Sequence, residues 1–264
     1  MKSSRSSEAS VVALARSAFD RAATSYDAAA EFQCLICDRL VGLLPHEIEP
    51  ALIADLGCGT GYTSRVLASR YLRAEILAID FAPSMLDLAR SRADAEHWIG
   101  ADLQHLPLRA NTVDLACSSL ALQWCDPAQA FAEAARILRP GGVLAIASVG
   151  PGTLGELEHA FAGIDGHDHV IEFSDLASLE ARVSAAGLRL TQALEEPLTL
   201  HRPNLHSIVR ELKAIGANTV GPRRRRGMLS RAGWQAVEQR YESLRGAAGL
   251  PVTYAALYLI ATRP

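Results

Sequence analysis

Three glycines, Gly57, Gly59 and Gly61, fall within five positions between the apolar run 53–56 and a helical stretch, with Asp55 two residues ahead of the first. A strand-turn-helix junction so poor in side chains lets a ligand lie against the backbone, because glycine alone combines positive φ with the lack of a Cβ. A pyrophosphate loop of the form Gly-x-Gly-x-x-Gly/Ala needs a small residue at position 62, where this chain has Tyr62. The spacing therefore points to a nucleoside without a diphosphate. Two further carboxylates suit such a ligand. Asp80 closes the next apolar run nineteen residues after Gly61, where two ribose hydroxyls can donate to it. Asp102, in IGADLQHLP, can accept from an adenine amino group, with Met85 and Leu103 flanking the ring. Each acid alone is equally readable as a turn-former; acids at successive strand ends favour a ligand.

These residues act together only if the strand ends that bear them converge. Helical patterning covers about residues 10–43. The apolar runs LIADLG, AEILAID, HWIGADLQ, VDLACSSL and GVLAIASV then alternate with helical stretches at 61–70, APSMLDLARSR and PAQAFAEAARILRPGG, the last stopping at Pro140-Gly141-Gly142. That alternation predicts an α/β fold, a doubly wound, mostly parallel sheet with helices on both faces. Beyond Val149, SDLASLEARVSAAG predicts a helix and LRLTQALEEPLTLH an extended segment interrupted at Pro197. LHSIVRELKAIGA and SRAGWQAVEQRYESLR predict amphipathic helices around a basic loop, and TYAALYLIATRP a strand returning to the sheet. The expectation is a single domain over 1–264, with an N-terminal helical cap at 10–43, a ligand-binding core at 51–149 and a helical lid at 202–248 before the last strand.

Composition narrows the classes. At 264 residues and 49% hydrophobic, the chain can bury one large α/β core. No run approaches the roughly 18 apolar residues of a membrane helix, and the start MKSSRSSEAS lacks a secretory apolar stretch, so a cytoplasmic protein without a membrane partner is expected. Five unevenly spread cysteines do not form a disulfide framework, and Cys34-x-x-Cys37 lies in a helical pattern where packing explains it. No metal site is expected.

The ordered set ADLGCGTG, LAIDFAP, GADLQHLPL, VDLACSSLALQW and ILRPGGVL, over about 52–149, resembles the class I S-adenosylmethionine-dependent methyltransferases, whose fold is Rossmann-like. The resemblance implies that Gly57, Gly59 and Gly61 line the methionine part of the cofactor S-adenosyl-L-methionine. It implies also that Asp55 supports the amino group through water, Asp80 holds the ribose and Asp102 reads the adenine. Ser118, in VDLACSSLALQW, is counted among the cofactor contacts. Further segments, FDRAATSYDAAAEFQ, SSLALQW, ELKAIGANTV and GLPVTYAALYLIATR, look like the malonyl-acyl-carrier-protein methyltransferases of biotin synthesis. The basic run 223–226 departs from that pattern.

The resemblance implies an acidic carrier protein bearing malonyl as partner, and charge points the same way. The segment 202–245 carries ten Lys/Arg against three Asp/Glu in a chain of net charge −3. Arg223, Arg224, Arg225 and Arg226 are the docking candidates, with a solvated loop and nucleic-acid contact as weaker readings. A malonyl carboxylate is already an anion at neutral pH, its pKa being about 4, so methylation needs positioning and no general base. Tyr26, Gln123 and Trp124 are the candidate substrate contacts, with Lys213 or Arg21 as the cation; no role is assigned to His105 or His201. Two alternatives stay open: a methyltransferase of another small acceptor, such as a free carboxylic acid or quinol precursor, and a non-catalytic nucleoside-binding protein.

Overall fold

The computed structural model describes residues 2–92, 95–217, 227 and 229–264, with side chains from residue 14 onward. Its sheet is built outward from β1 (Leu52–Leu56), which pairs in parallel with β2 (Glu75–Asp80) on one side and β4 (Val113–Ser119) on the other. β3 (His97–Gly100) extends the sheet beyond β2, and β5 (Leu138–Val149) extends it beyond β4, both in parallel. The last strand, β7 (Leu250–Thr262), lies antiparallel between β5 and β6 (Arg189–Arg202), giving the order β3-β2-β1-β4-β5-β7-β6. The chain reverses direction across the sheet between β1 and β4. A crevice therefore opens at the carboxyl ends of these two strands, where doubly wound folds take their ligands.

The central strands are apolar on both faces because helices cover both. On one face lie α2 (Glu31–Gly42), α6 (Gly155–Phe161), α8 (Leu205–Ala214) and α9 (Arg231–Glu242), which bury Ile36, Leu40, Leu157, Ile208 and Tyr241. On the other lie α5 (Pro127–Ile137) and α7 (Leu176–Ala185), with Phe131 and Val183 fully enclosed. Each such side chain contributes roughly 1.5–3 kcal/mol relative to exposure. α3 (Tyr62–Arg70) follows the glycine turn, and α4 (Pro83–Arg90) begins with proline at its first turn, whose missing N–H costs nothing there. Asp126 and Asn204 cap α5 and α8 through their side chains.

α1 (Lys2–Tyr26), followed by a 3-10 turn at Asp27–Ala29, lies across the ligand edge. Asp20 Oδ1 accepts from Ser84 N at the start of α4 (3.1 Å), and Ser25 Oγ donates to the Ala214 carbonyl at the end of α8 (3.0 Å). The N-terminal helix is thereby fastened to both the core and the helices that precede β7.

Two expectations change, and one helix is added. Pro197 does not interrupt its segment: β6 continues through it, with Pro197 opposite Ala255. β6 is an edge strand, and an edge position needs no outward N–H. The helix expected to reach Pro140 ends at Ile137, and Leu138 already pairs with Val113 as strand. α6 was not anticipated at all, its seven residues being too few to show a period. Among the described residues no helix is long and apolar enough to cross a membrane.

Candidate active site

The backbone makes the first part of the site. Gly57 and Gly59 adopt φ of +80° and +52°. A Cβ on Gly57 would stand 2.3 Å from Ala121 Cβ, so this glycine is required by the loop after β4. A Cβ on Gly59 would meet nothing within 4 Å; that position faces open cavity. Gly61, at φ +86°, caps α3 and lines none of the three cavities described below.

Asp80 ties the turn to β2. Its Oδ2 accepts from Gly59 N (2.9 Å) and its Oδ1 from Ala82 N (2.8 Å), leaving further lone pairs for a ligand. Burial pushes its carboxyl up to about 6, against the pull of the amides of Ala82, Gly59 and Phe81. Asp55 is different. It is fully buried beneath the turn, its Oδ2 accepting from Ser64 Oγ (2.6 Å) while Oδ1 has no partner. Burial outweighs the Ser64 bond and pushes its carboxyl up to about 7. Asp102 accepts from the backbone and side-chain nitrogens of Gln104 (2.9 and 3.1 Å).

Three cavities open along this edge. The first, about 50 Å³, is lined by Gly57, Gly59, Asp80, Met85, Asp102 and Leu103, and roofed by Phe19 and Tyr26 of α1. The second, about 250 Å³, continues past Gly57, Gly59 and Ser119 to Asp27, Thr60 and Arg65. The third, about 270 Å³, is lined by aliphatic and aromatic side chains from α2, α6, α8 and β7, together with Gln33, Gln123, Thr153, Asp168, His169 and Lys213. Phe19, Tyr26, Leu120 and Trp124 form the wall common to the first and third. Tyr26 lines all three. Burial, and then the Asp80 charge, hold its phenol above the ordinary value, so it is a hydrogen-bond donor throughout the neutral range.

The structure thus brings Gly57, Gly59, Asp80, Met85, Asp102 and Leu103 to one cavity, and Gln123, Trp124 and Lys213 to its neighbour, with Tyr26 between. It does not bring Asp55, Gly61, Ser118 or Arg21 to any of the three cavities. Ser118 Oγ donates to the Leu56 carbonyl (2.7 Å) and locks β4 to β1. Ser119 lines the cavities instead, because neighbouring strand residues face opposite ways. Arg21 sits on the exposed side of α1 against Ser17, one turn back. Gln123 spends one N–H on the carbonyl of Leu120 (2.8 Å), itself held at φ +58°. Arg223 to Arg226 lie outside the described residues.

Sequence reasoning missed Phe19, Gln33, Ser119, Tyr254 and His169 as lining residues. Phe19, Tyr26 and Gln33 recur every seven positions in FDRAATSYDAAAEFQ, a two-turn spacing that was available as a signal. His169, stacked on Phe161 at 3.7 Å and bonded through Nε2 to Asp165 (3.0 Å), comes from a segment without any period.

A family model described as a methyltransferase domain matches residues 54–146. The geranyl diphosphate C-methyltransferase of Streptomyces coelicolor A3(2), solved with S-adenosyl-L-homocysteine, shares the fold with a TM-score of 0.53 at 12% identity, covering 86% of this chain and 78% of that one. Fold, glycine turn and strand-end acids define a class I S-adenosylmethionine-dependent methyltransferase. The cofactor fits the residues present: the turn at Gly59 is open to the cavity, and Asp80 keeps acceptor capacity there. The chain is also 44% identical over 248 residues to a malonyl-acyl-carrier-protein O-methyltransferase of Dechloromonas aromatica (strain RCB), covering 94% of this chain and 93% of that protein. It is 37% identical to the biotin biosynthesis bifunctional protein BioHC of Cellvibrio japonicus (strain Ueda107), covering 93% of this chain and 49% of that longer protein. It belongs to the malonyl-acyl-carrier-protein O-methyltransferase family.

Proposed function

We propose that this enzyme methylates the free carboxylate of a malonyl thioester on an acyl carrier protein, giving the malonyl methyl ester at an early step of biotin synthesis in the cytoplasm. The observation that carries this reading is the mostly apolar third cavity, which meets the nucleoside cavity along the wall of Phe19, Tyr26, Leu120 and Trp124. The names of the relatives supply the acceptor.

S-adenosylmethionine supplies an electrophilic methyl group. Asp80 and Asp102 would hold its ribose and adenine, Met85 and Leu103 would flank the ring, and Gly57 and Gly59 would line its methionine part. The acceptor carboxylate is an anion at neutral pH and needs no base, so the residues around it position and desolvate it. Tyr26 donates from the boundary between the cavities, while Phe19 and Trp124 exclude water. Gln123 holds the acceptor through its second amide N–H, the first being donated to the Leu120 carbonyl, and Lys213, in the wall of the cavity, supplies the cation. Arg21, outside the cavities, is left no such part.

In this reading residues 10–43 cap the cofactor and 202–248 form the acceptor lid, whose arginines at 223–226 draw in an acidic carrier. Mass spectrometry of malonyl-carrier protein incubated with enzyme and S-adenosylmethionine tests it. A methyl increment on the malonyl group is expected. Binding of S-adenosylhomocysteine without that increment overturns the acceptor assignment and leaves the cofactor assignment standing.

A further inference from the structure

The second cavity has a charge pattern that the nucleoside does not explain. Arg65, one turn into α3, lines it with its guanidinium over the Tyr62 ring at 5.5 Å. No carboxylate pairs with Arg65 among the described residues. Asp27 lines the same cavity from the 3-10 turn after α1, its Oδ1 accepting from Thr60 Oγ1 (2.5 Å) and its Oδ2 paired with Arg92. A carboxylate offers about four acceptor positions, so two remain for a ligand. Between the two charges lies a space of about 250 Å³ that opens to the nucleoside cavity past Gly57 and Gly59. Asp55, the other acid of the glycine motif, lies beneath the turn with its oxygens out of that space.

We propose that Asp27 and Arg65 form the subsite for the amino-acid end of the cofactor, Asp27 receiving the α-ammonium and Arg65 the α-carboxylate. This rests on the cofactor reading above. A zwitterion presents one cation and one anion a few bonds apart, and the cavity presents the opposite charge to each. Arg65 is suited to the carboxylate because its planar fork can donate two parallel hydrogen bonds. Asp27 has a second consequence. Thr60 belongs to the glycine turn and Arg92 follows α4, so the acid that receives the ammonium also fastens the end of α1 to the core. Occupation of the amino-acid subsite thereby steadies the helix whose Phe19 and Tyr26 roof the nucleoside.

The test compares ligands that differ only at that end. Isothermal calorimetry is run on wild type, Arg65→Gln and Asp27→Asn with three probes: S-adenosylhomocysteine, its decarboxylated analogue, and 5′-methylthioadenosine, which lacks the amino-acid end. Arg65→Gln is expected to weaken S-adenosylhomocysteine about tenfold or more, and to leave both the decarboxylated analogue and methylthioadenosine within about twofold. Asp27→Asn is expected to weaken the first two and spare methylthioadenosine, apart from a uniform loss from the loosened turn. If either variant weakens all three probes equally, the residue acts only on the fold and the subsite is overturned. If wild type binds none of them, the cofactor reading itself fails. If Arg65→Gln unfolds, Arg65→Lys keeps the charge and loses the fork; it is expected to fall between wild type and Gln on S-adenosylhomocysteine alone. Equal affinity of Arg65→Lys and wild type for that probe would refute bidentate recognition.

Discussion

Phe19 and Trp124 meet edge to face, with ring centroids 5.3 Å apart and planes at 85°. One belongs to the N-terminal helix and the other to the 3-10 turn after β4, so the contact forms part of the wall shared by the first and third cavities. An edge-to-face pair contributes about 0.5–1.5 kcal/mol beyond burial. Phe19→Ala is therefore expected to weaken S-adenosylhomocysteine by about two- to tenfold and to raise KM for the acyl thioester, since both cavities lose the same wall. Calorimetry and initial rates check it; a loss confined to one ligand would show that the ring serves one cavity only.

Asp80 links cofactor binding to pH. Its carboxyl, raised to about 6 by burial, accepts best when ionised. Affinity for S-adenosylhomocysteine should be level above about pH 7 and fall below about pH 6 with a slope of at most one proton. Asp80→Asn should abolish that dependence, and Asp80→Ala should cost at least about tenfold at neutral pH. The same burial gives the opposite trend in the stability of the ligand-free protein. Asp55 (about 7) and Asp80 (about 6) bind protons more tightly folded than at the ordinary 3.8, so their contribution falls as pH rises from about 4 to 7. Urea titrations of Asp55→Asn, which removes the larger share, should flatten that slope.

Two glycines of one motif should fail in different ways. Gly57→Ala drives a Cβ to 2.3 Å from Ala121 and forces the β4 loop to move, so its melting temperature should drop whether or not cofactor is present. Gly59→Ala has room for its Cβ and pays only about 1–2 kcal/mol for a left-handed alanine. It should fold, and lose affinity for S-adenosylhomocysteine because the methyl group projects into the cavity. Matched melting curves with and without ligand separate the two.

Tyr26→Phe should lower turnover while changing S-adenosylhomocysteine affinity by less than about twofold, as the proposed donation from its hydroxyl to the acceptor requires. With cofactor saturating, turnover should stay level between about pH 6 and 8, because the acceptor is already an anion and the Tyr26 phenol keeps its proton. A steep single-proton rise across that range would require a general base and remove the mechanism.

Neutralising Arg223, Arg224, Arg225 and Arg226 to Gln should raise KM for malonyl-carrier protein and leave methylation of malonyl-coenzyme A nearly unchanged. The wild-type advantage should shrink as the Debye length falls from about 10 Å at 0.1 M salt to about 3 Å at 1 M. Equal losses on both thioesters would assign the run to the shared arm or to the fold.

The sequence by itself determined the frame and the cofactor class. Apolar runs broken by helical stretches dictate a parallel sheet, and the run-ending positions of Gly57, Asp80 and Asp102 depend only on local order along the chain. What it could not determine was which side chains face a common space. Ser118 and Ser119 are neighbours of identical chemistry, yet only the strand pairing with β1 decides that one bonds Leu56 and the other lines the cavity. Asp55 and Asp80 both lie within the last two positions of apolar strands, and only the packing of α3 over the turn seals one against Ser64 while leaving the other open. Pro197 reads as a break until β6 is known to be an edge. The third cavity is the extreme case. Its walls come from α2, α6, α8, the loop around His169 and β7, and segments that far apart in the chain meet only through burial of their apolar faces, which fixes no partner until the whole domain is assembled.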